Sequence, residues 1–149
     1  MKPAPASPLS GEVSIIERLP TPDEYNRLRE SVGWHRIDSE RAEAALGRSF
    51  FSVCAIREEQ PVGFGRIVGD GAVYFYVQDV IVLPEQQGKG IGHRIMERLM
   101  AYLDKNAPAG SGAFIGLMAT TKALGLYRQY GLEPLPGDSP FLGLWRNGH

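Results

Sequence analysis

Two rhythms of apolar residues organise this chain. From Gly90 to about Lys105, Ile91, Ile95, Met96, Leu99, Met100 and Leu103 recur at helical spacing, with His93, Arg94, Glu97, Arg98 and Asp104 on the other side. That stripe predicts an amphipathic helix laid on a sheet. From Phe50 the period shortens: FFSVCAIRE, PVGFGRIVGD and AVYFYVQDVIVL are three β-rich runs separated by the turn signals EEQP and GDG, which predicts an antiparallel meander. Upstream, VSIIERL predicts a strand from Val13 to Leu19. TPDEYNRLRESV then predicts a helix with Thr21 as its cap and Pro22 in its first turn, and Tyr25, Leu28 and Val32 recur before Gly33 ends it. A second short helix runs from about Ser39 to Leu46 and is closed by Gly47. After NAPAGSG, AFIGLMA reads as a strand, TKALGLYRQY as a helix ended by Gly131, and LEPL and PFLGLW as two strand-like pieces around the turn PGDS. The expected order is β, α, α, β, β, β, α, β, α, β, β.

Composition adds bounds. With 149 residues, 43% of them hydrophobic, and a formal net charge of -1, the chain has the makeup of one globular domain. We place that domain at residues 12–149, behind a flexible segment, residues 1–11, punctuated by Pro3, Pro5 and Pro8. Nothing in the charge asks for nucleic acid. No apolar run approaches the ~20 residues of a membrane span, and MKPAPASPLSGE lacks the apolar stretch of a signal peptide, so a cytoplasmic protein without a membrane partner is expected. Cys54, the one cysteine, lies in the apolar run FFSVCAI and reads as a small buried hydrophobe. The three histidines and this cysteine lack metal-ligand spacing, so no metal is implied.

The chemistry concentrates in DVIVLPEQQGKGIG. A strand runs into Gln87, Gly88, Lys89, Gly90, Ile91 and Gly92, and that loop runs directly into the long helix. Unpartnered N–H groups at a helix start carry roughly half a positive charge, and glycines let a phosphate approach them closely. The spacing G-x-G-x-G matches neither a P-loop, which needs a Lys followed by Ser or Thr, nor the dinucleotide fingerprint G-x-G-x-x-G. A glycine-rich turn without any ligand is the plain alternative.

The pattern that does fit is Q-x-x-G-x-G, met by Gln87, Gly90 and Gly92. Downstream, ALGLYRQYGL meets A-x-x-x-Y-x-x-x-G-[FL] through Ala123, Tyr127, Gly131 and Leu132. The chain thereby resembles the GNAT N-acetyltransferase superfamily from Val13 to Trp145, departing from it at Thr120, where many members have Asn. The resemblance implies an α/β (α+β) GNAT fold: a mixed, mostly antiparallel sheet of about seven strands, splayed in the middle and flanked by about four helices. It also implies acetyl-coenzyme A as co-substrate. Backbone groups of Val80, Ile81 and Val82 would pair with the pantetheine arm, and the loop Gln87, Gly88, Lys89, Gly90, Ile91, Gly92 would hold the pyrophosphate.

Acetyl transfer by direct attack in a ternary complex requires a neutral amine, a positioned carbonyl and a stabilised thiolate. Tyr127 matches the family tyrosine that faces the coenzyme sulfur. Asp79, a carboxylate in the apolar run YFYVQDVIVL, is a candidate base if burial raises its pKa, or else a group that orients substrate. Trp34, Tyr76 and Gln78 are candidates to line the amine pocket, with Phe75 as a further aromatic wall. His93 and His35 read as ordinary polar groups. A small-molecule primary amine is the leading acceptor. A protein N-terminus or lysine side chain, a coenzyme A-binding sensor without catalysis and a nucleotide-binding regulatory domain stay open, as does a homodimer paired through PFLGLW.

Overall fold

In the computed structural model, which describes residues 11–135, 137–138 and 141–145, short polar signals decide where the helices start. The Thr21 hydroxyl accepts from the Glu24 N–H at 3.1 Å and Glu24 Oε1 accepts from the Thr21 N–H at 2.9 Å, a reciprocal cap that opens α1 (Pro22–Ser31). Asp38 caps α2 (Ser39–Gly47) by accepting from the Arg41 N–H at 3.0 Å. The sheet runs in chain order through β1 (Ser14–Ile16), β2 (Phe51–Arg57), β3 (Gln60–Gly69), β4 (Tyr74–Val82) and β5 (Phe114–Gly116). The first four strands are antiparallel to one another. Only β5 is parallel to its neighbour, because the long helix α3 (Ile91–Asn106) carries the chain back across the sheet. A single-turn 3-10 helix (Thr121–Ala123) leads into the short α4 (Leu124–Arg128).

Side-chain alternation along β3 puts the helices on opposite faces. Phe64 meets Tyr25 of α1 edge to face, with ring centroids 6.0 Å apart, whereas the next residue, Gly65, faces Ile95 and Leu99 of α3. The fully buried Ile95, Met96, Leu99 and Leu103 form the predicted helical stripe. Cys54 is buried as expected, and burial pushes its thiol up to about 11.

Sequence and structure differ mainly at the C-terminus. Residues 132–135 and 141–145 form no strand, so the sheet has five strands among the described residues rather than about seven. Pro134 interrupts LEPL and Pro140 heads PFLGLW, and neither has the N–H that a ladder needs. The homodimer expected through PFLGLW loses its preformed strand with them. The leading segment lies outside the described residues save for Gly11, as do Pro136, Ser139 and Pro140 around the expected PGDS turn.

Two irregularities open the sheet around β4. Between the pairs Phe64↔Ile81 and Arg66↔Gln78, β3 has one residue, Gly65, while β4 has two, Asp79 and Val80, so β4 bulges there. Pairing of β4 with β5 ends at Tyr76↔Gly116, and beyond that point the two strands part. The C-terminal half of β4 thus has a ladder on one side only.

Seating α3 against β3 depends on Gly65, where a Cβ would fall 2.8 Å from Ile95 Cγ2 and 3.0 Å from Leu99 Cδ1. A β-branched Ile cannot rotate far to make room. Gly65→Ala should therefore lower stability by about 1–3 kcal/mol in a urea titration. Because α3 carries the glycine loop, the variant should also weaken acetyl-coenzyme A binding in calorimetry.

Candidate active site

The parting of β4 and β5 forms a cleft of ≈ 1070 Å³, at the upper end of the range for small-molecule sites. One end is the loop after β4 and the start of α3. The other is built by Arg29 of α1, Trp34 of the following loop and Asp79 in the bulge, with Ile81, Leu117, Leu126 and Tyr127 between.

At the loop end the backbone is bare. Gly90 stands at the N-cap of α3 with φ +81° and no side chain caps the helix, nor does its first turn contain an acid. By contrast, α1 and α2 each have a side-chain cap and an acidic residue in the first turn. A positive φ of this size favours glycine, and a Cβ at Gly88 or Gly90 would meet nothing within 4 Å, so the turn is open rather than packed. The Gln87 side chain folds back, with Nε2 donating to Val82 O at 3.0 Å, and Lys89 Nζ donates to Gln86 Oε1 at 3.3 Å. Gly92 admits Leu126 of α4, which a Cβ would approach to 3.3 Å. Tyr130 donates to His93 O at 3.1 Å, tying the end of α4 to the start of α3.

Along β4, the Leu83 N–H donates to Val62 O at 2.9 Å, so strand alternation turns the backbone groups of Ile81 and Leu83 towards β3 and those of Val80 and Val82 towards the cleft. Of the three backbone positions assigned to the pantetheine arm, two thus face the opening.

Asp79 does not sit in apolar surroundings. Its Oδ2 accepts from Arg66 Nε at 2.8 Å and from the Tyr25 hydroxyl at 2.8 Å, and its Oδ1 lies 3.6 Å from Arg29 Nη1. Arg66 also donates to Ala45 O at 3.0 Å, and Arg29 Nε to His35 O at 2.9 Å, so α1, α2, β3, β4 and the loop between the helices meet at one carboxylate. Asp79 itself has φ +57°, an unusual backbone for a residue with a side chain and tolerated best by Asp and Asn. None of Tyr25, Arg29 or Arg66 was singled out from the sequence.

Tyr127 lines the cleft and is nearly buried, and burial raises its phenol above the ordinary value. Gln78 and Trp34 line the cleft as well. Tyr76 packs on Phe114 of β5 instead, with centroids 6.3 Å apart, and Phe75 is fully buried in the core. Trp145, expected only as the end of the strand-like piece PFLGLW, lines the cleft and stands edge to face with His35 at 6.4 Å.

Asp79→Asn should cost about 3–5 kcal/mol in urea, because it leaves two guanidiniums without their counter-charge. Tyr25 is raised by burial first and by Asp79 second, and Tyr127 by burial. Stability from both phenols is complete below their ordinary value of 10.0 and is lost as pH rises through the folded values. A Y25F/Y127F double variant should thus show a shallower fall of unfolding free energy with pH above 10.0 than the parent chain.

With this geometry in view, similarity to known proteins narrows the class. Residues 48–134 match the acetyltransferase (GNAT) domain. The chain is 36% identical over 127 residues to serotonin N-acetyltransferase 2, chloroplastic, of Oryza sativa subsp. japonica, over 82% of this chain and 61% of that protein. It is 29% identical over 120 residues to histone acetyltransferase TAP1 of Glycine max, over 73% of this chain and 50% of that one. The chain thus spans about three-fifths of the first relative and half of the second. A solved structure from Meticillin-Resistant Staphylococcus aureus, a protein of unknown function described as a probable acetyltransferase, superposes with a TM-score of 0.84 at 30% identity, covering 90% of this chain and 99% of that one. A bare helix start, a parted sheet and a tyrosine between them, on a chain matched by that domain over more than half its length, have one common explanation: the chain belongs to the GNAT acetyltransferase family.

Proposed function

We propose that this chain transfers an acetyl group from acetyl-coenzyme A to the primary amine of a small molecule, by direct attack within a ternary complex. The observation that carries the proposal is the α3 N-terminus, without side-chain cap or acid, opening onto the same cleft as the one-sided half of β4 and Tyr127. Backbone N–H groups from Gly88 to Gly92 suit a diphosphate. Val80 and the N–H of Val82 offer outward-facing backbone groups to an extended amide arm, as an edge strand does, while the Val82 carbonyl already accepts from Gln87 Nε2. Tyr127 donates its proton to the sulfur as the C–S bond breaks and the N–C bond forms. Asp79 acts here as a positioning residue, since its carboxylate is already taken up by Arg66, Tyr25 and Arg29. The amine proton leaves to solvent, and the Tyr127 phenolate regains a proton from solvent to close the cycle.

A peptide or lysine acceptor is the second reading, favoured by the soybean relative's designation as a histone acetyltransferase. Thiol release from acetyl-coenzyme A, measured over small amines beside a histone-tail peptide with products weighed by mass, separates the two. Turnover is expected on small amines; binding in calorimetry without turnover on any acceptor would leave only a sensor, and no binding at all would end the proposal. Tyr127→Phe should lower kcat by about 10²–10⁴-fold while changing acetyl-coenzyme A affinity by less than about twofold.

A further inference from the structure

The acceptor end of the cleft carries more positive than negative charge, and we infer that the acceptor amine bears an anionic group that Arg29 recognises. The inference rests on the transfer reaction proposed above and names its substrate class. Among the described residues lining the cleft, Asp79 is the one carboxylate, and it is shared between two guanidiniums. Arg29 and Arg66 contribute two positive charges against one, leaving a net +1 in a cluster whose side chains are 9%, 12% and 9% exposed for Arg29, Arg66 and Asp79. Buried excess charge is costly, and a ligand of opposite sign offsets it.

Arg29 is the guanidinium that lines the cleft. Its Nε is held by His35 O at 2.9 Å and its Nη1 by the Tyr25 hydroxyl at 3.3 Å and Asp79, while Nη2 has no hydrogen bond among the described residues. The Tyr25 and Trp34 rings each lie 5.5 Å from its central carbon and fix the plane of the fork. A fork with two arms anchored and one left over suits a carboxylate or phosphate oxygen. It repels a second cation, so a simple ammonium finds no free counter-charge there.

Both tryptophans of the chain, Trp34 and Trp145, line this cleft, so intrinsic fluorescence reads the site directly. The test titrates the full chain, with and without coenzyme A, with four probes of similar shape: 3-phenylpropanoate, phenethyl phosphate, 3-phenylpropanamide and 3-phenylpropylammonium. The anions should bind at least about tenfold more tightly than the amide, with the ammonium weakest, and the tighter anion names the group. Arg29→Gln should level the series to within about twofold, and Arg29→Lys should restore part of it. An ammonium that binds as well as the anions, a series that survives Arg29→Gln, or no response to either anion overturns the inference. If Arg29→Gln does not fold, the series on the parent chain decides. Loss of the transfer reading is a separate result, read as absence of acetyl-coenzyme A binding in calorimetry.

Discussion

The carboxylate of Asp79 is the point on which this structure turns. It stands in a bulge with a left-handed backbone, and three donors from two other elements converge on it. Each of these features is unfavourable alone: a left-handed Asp costs of order 1–3 kcal/mol, and each buried charge costs several more. Together they offset one another. Arg66 reaches Asp79 from the neighbouring strand, and Tyr25 and Arg29 reach it from one face of α1. The bulge therefore cannot relax into a regular ladder without stranding two guanidiniums.

An open sheet is useful only if what it exposes can be satisfied by something else. Backbone groups of Val80 and the N–H of Val82 turn into the cleft, and the start of α3 offers N–H groups with no side-chain cap. Unpaired backbone polar groups are rare in folded chains and cluster where a ligand completes them. In this molecule the two sets lie end to end, on the last residues of β4 and the loop that follows. An extended amide chain ending in a diphosphate is the shape that satisfies both sets at once.

Most of this was readable in the sequence, and what was not fails for a definable reason. The caps at Thr21 and Pro22, the meander, the α3 stripe and the glycine loop are signals contained within about a dozen residues, and all appear where the pattern puts them. The role of Asp79 was harder. The sequence marks it as a charge in an apolar run, but its partners lie on α1 and β3, two of them 13 and 54 residues away, so no local pattern announces them. Arg29 left a trace: it follows Tyr25 by four residues on the apolar side of α1, where a charge needs a reason. At the C-terminus the apolar alternation of LEPL and PFLGLW predicts strands, but alternation alone does not supply the neighbouring edge that a strand must pair with. Trp145 reaches the cleft by tertiary placement alone.

The charge balance of the cleft also bears on how the amine loses its proton. The Asp79 carboxylate is already engaged by Arg66, Tyr25 and Arg29, and no other carboxylate lines the cleft among the described residues. On the proposed reading a base is not needed. When an anionic acceptor docks, its charge cancels the excess on the Arg29, Arg66 and Asp79 cluster, and the remaining unbalanced charge is the ammonium itself, facing Ile81, Leu117 and Leu126. Desolvation disfavours a lone cation in such surroundings and lowers its pKa, by as much as several units for a fully buried group. The neutral amine is then the stable form beside the acyl carbon, and the proton escapes towards solvent. Recognition and activation become one electrostatic event, in which the group that selects the substrate also removes the charge that would otherwise hold the amine's proton in place.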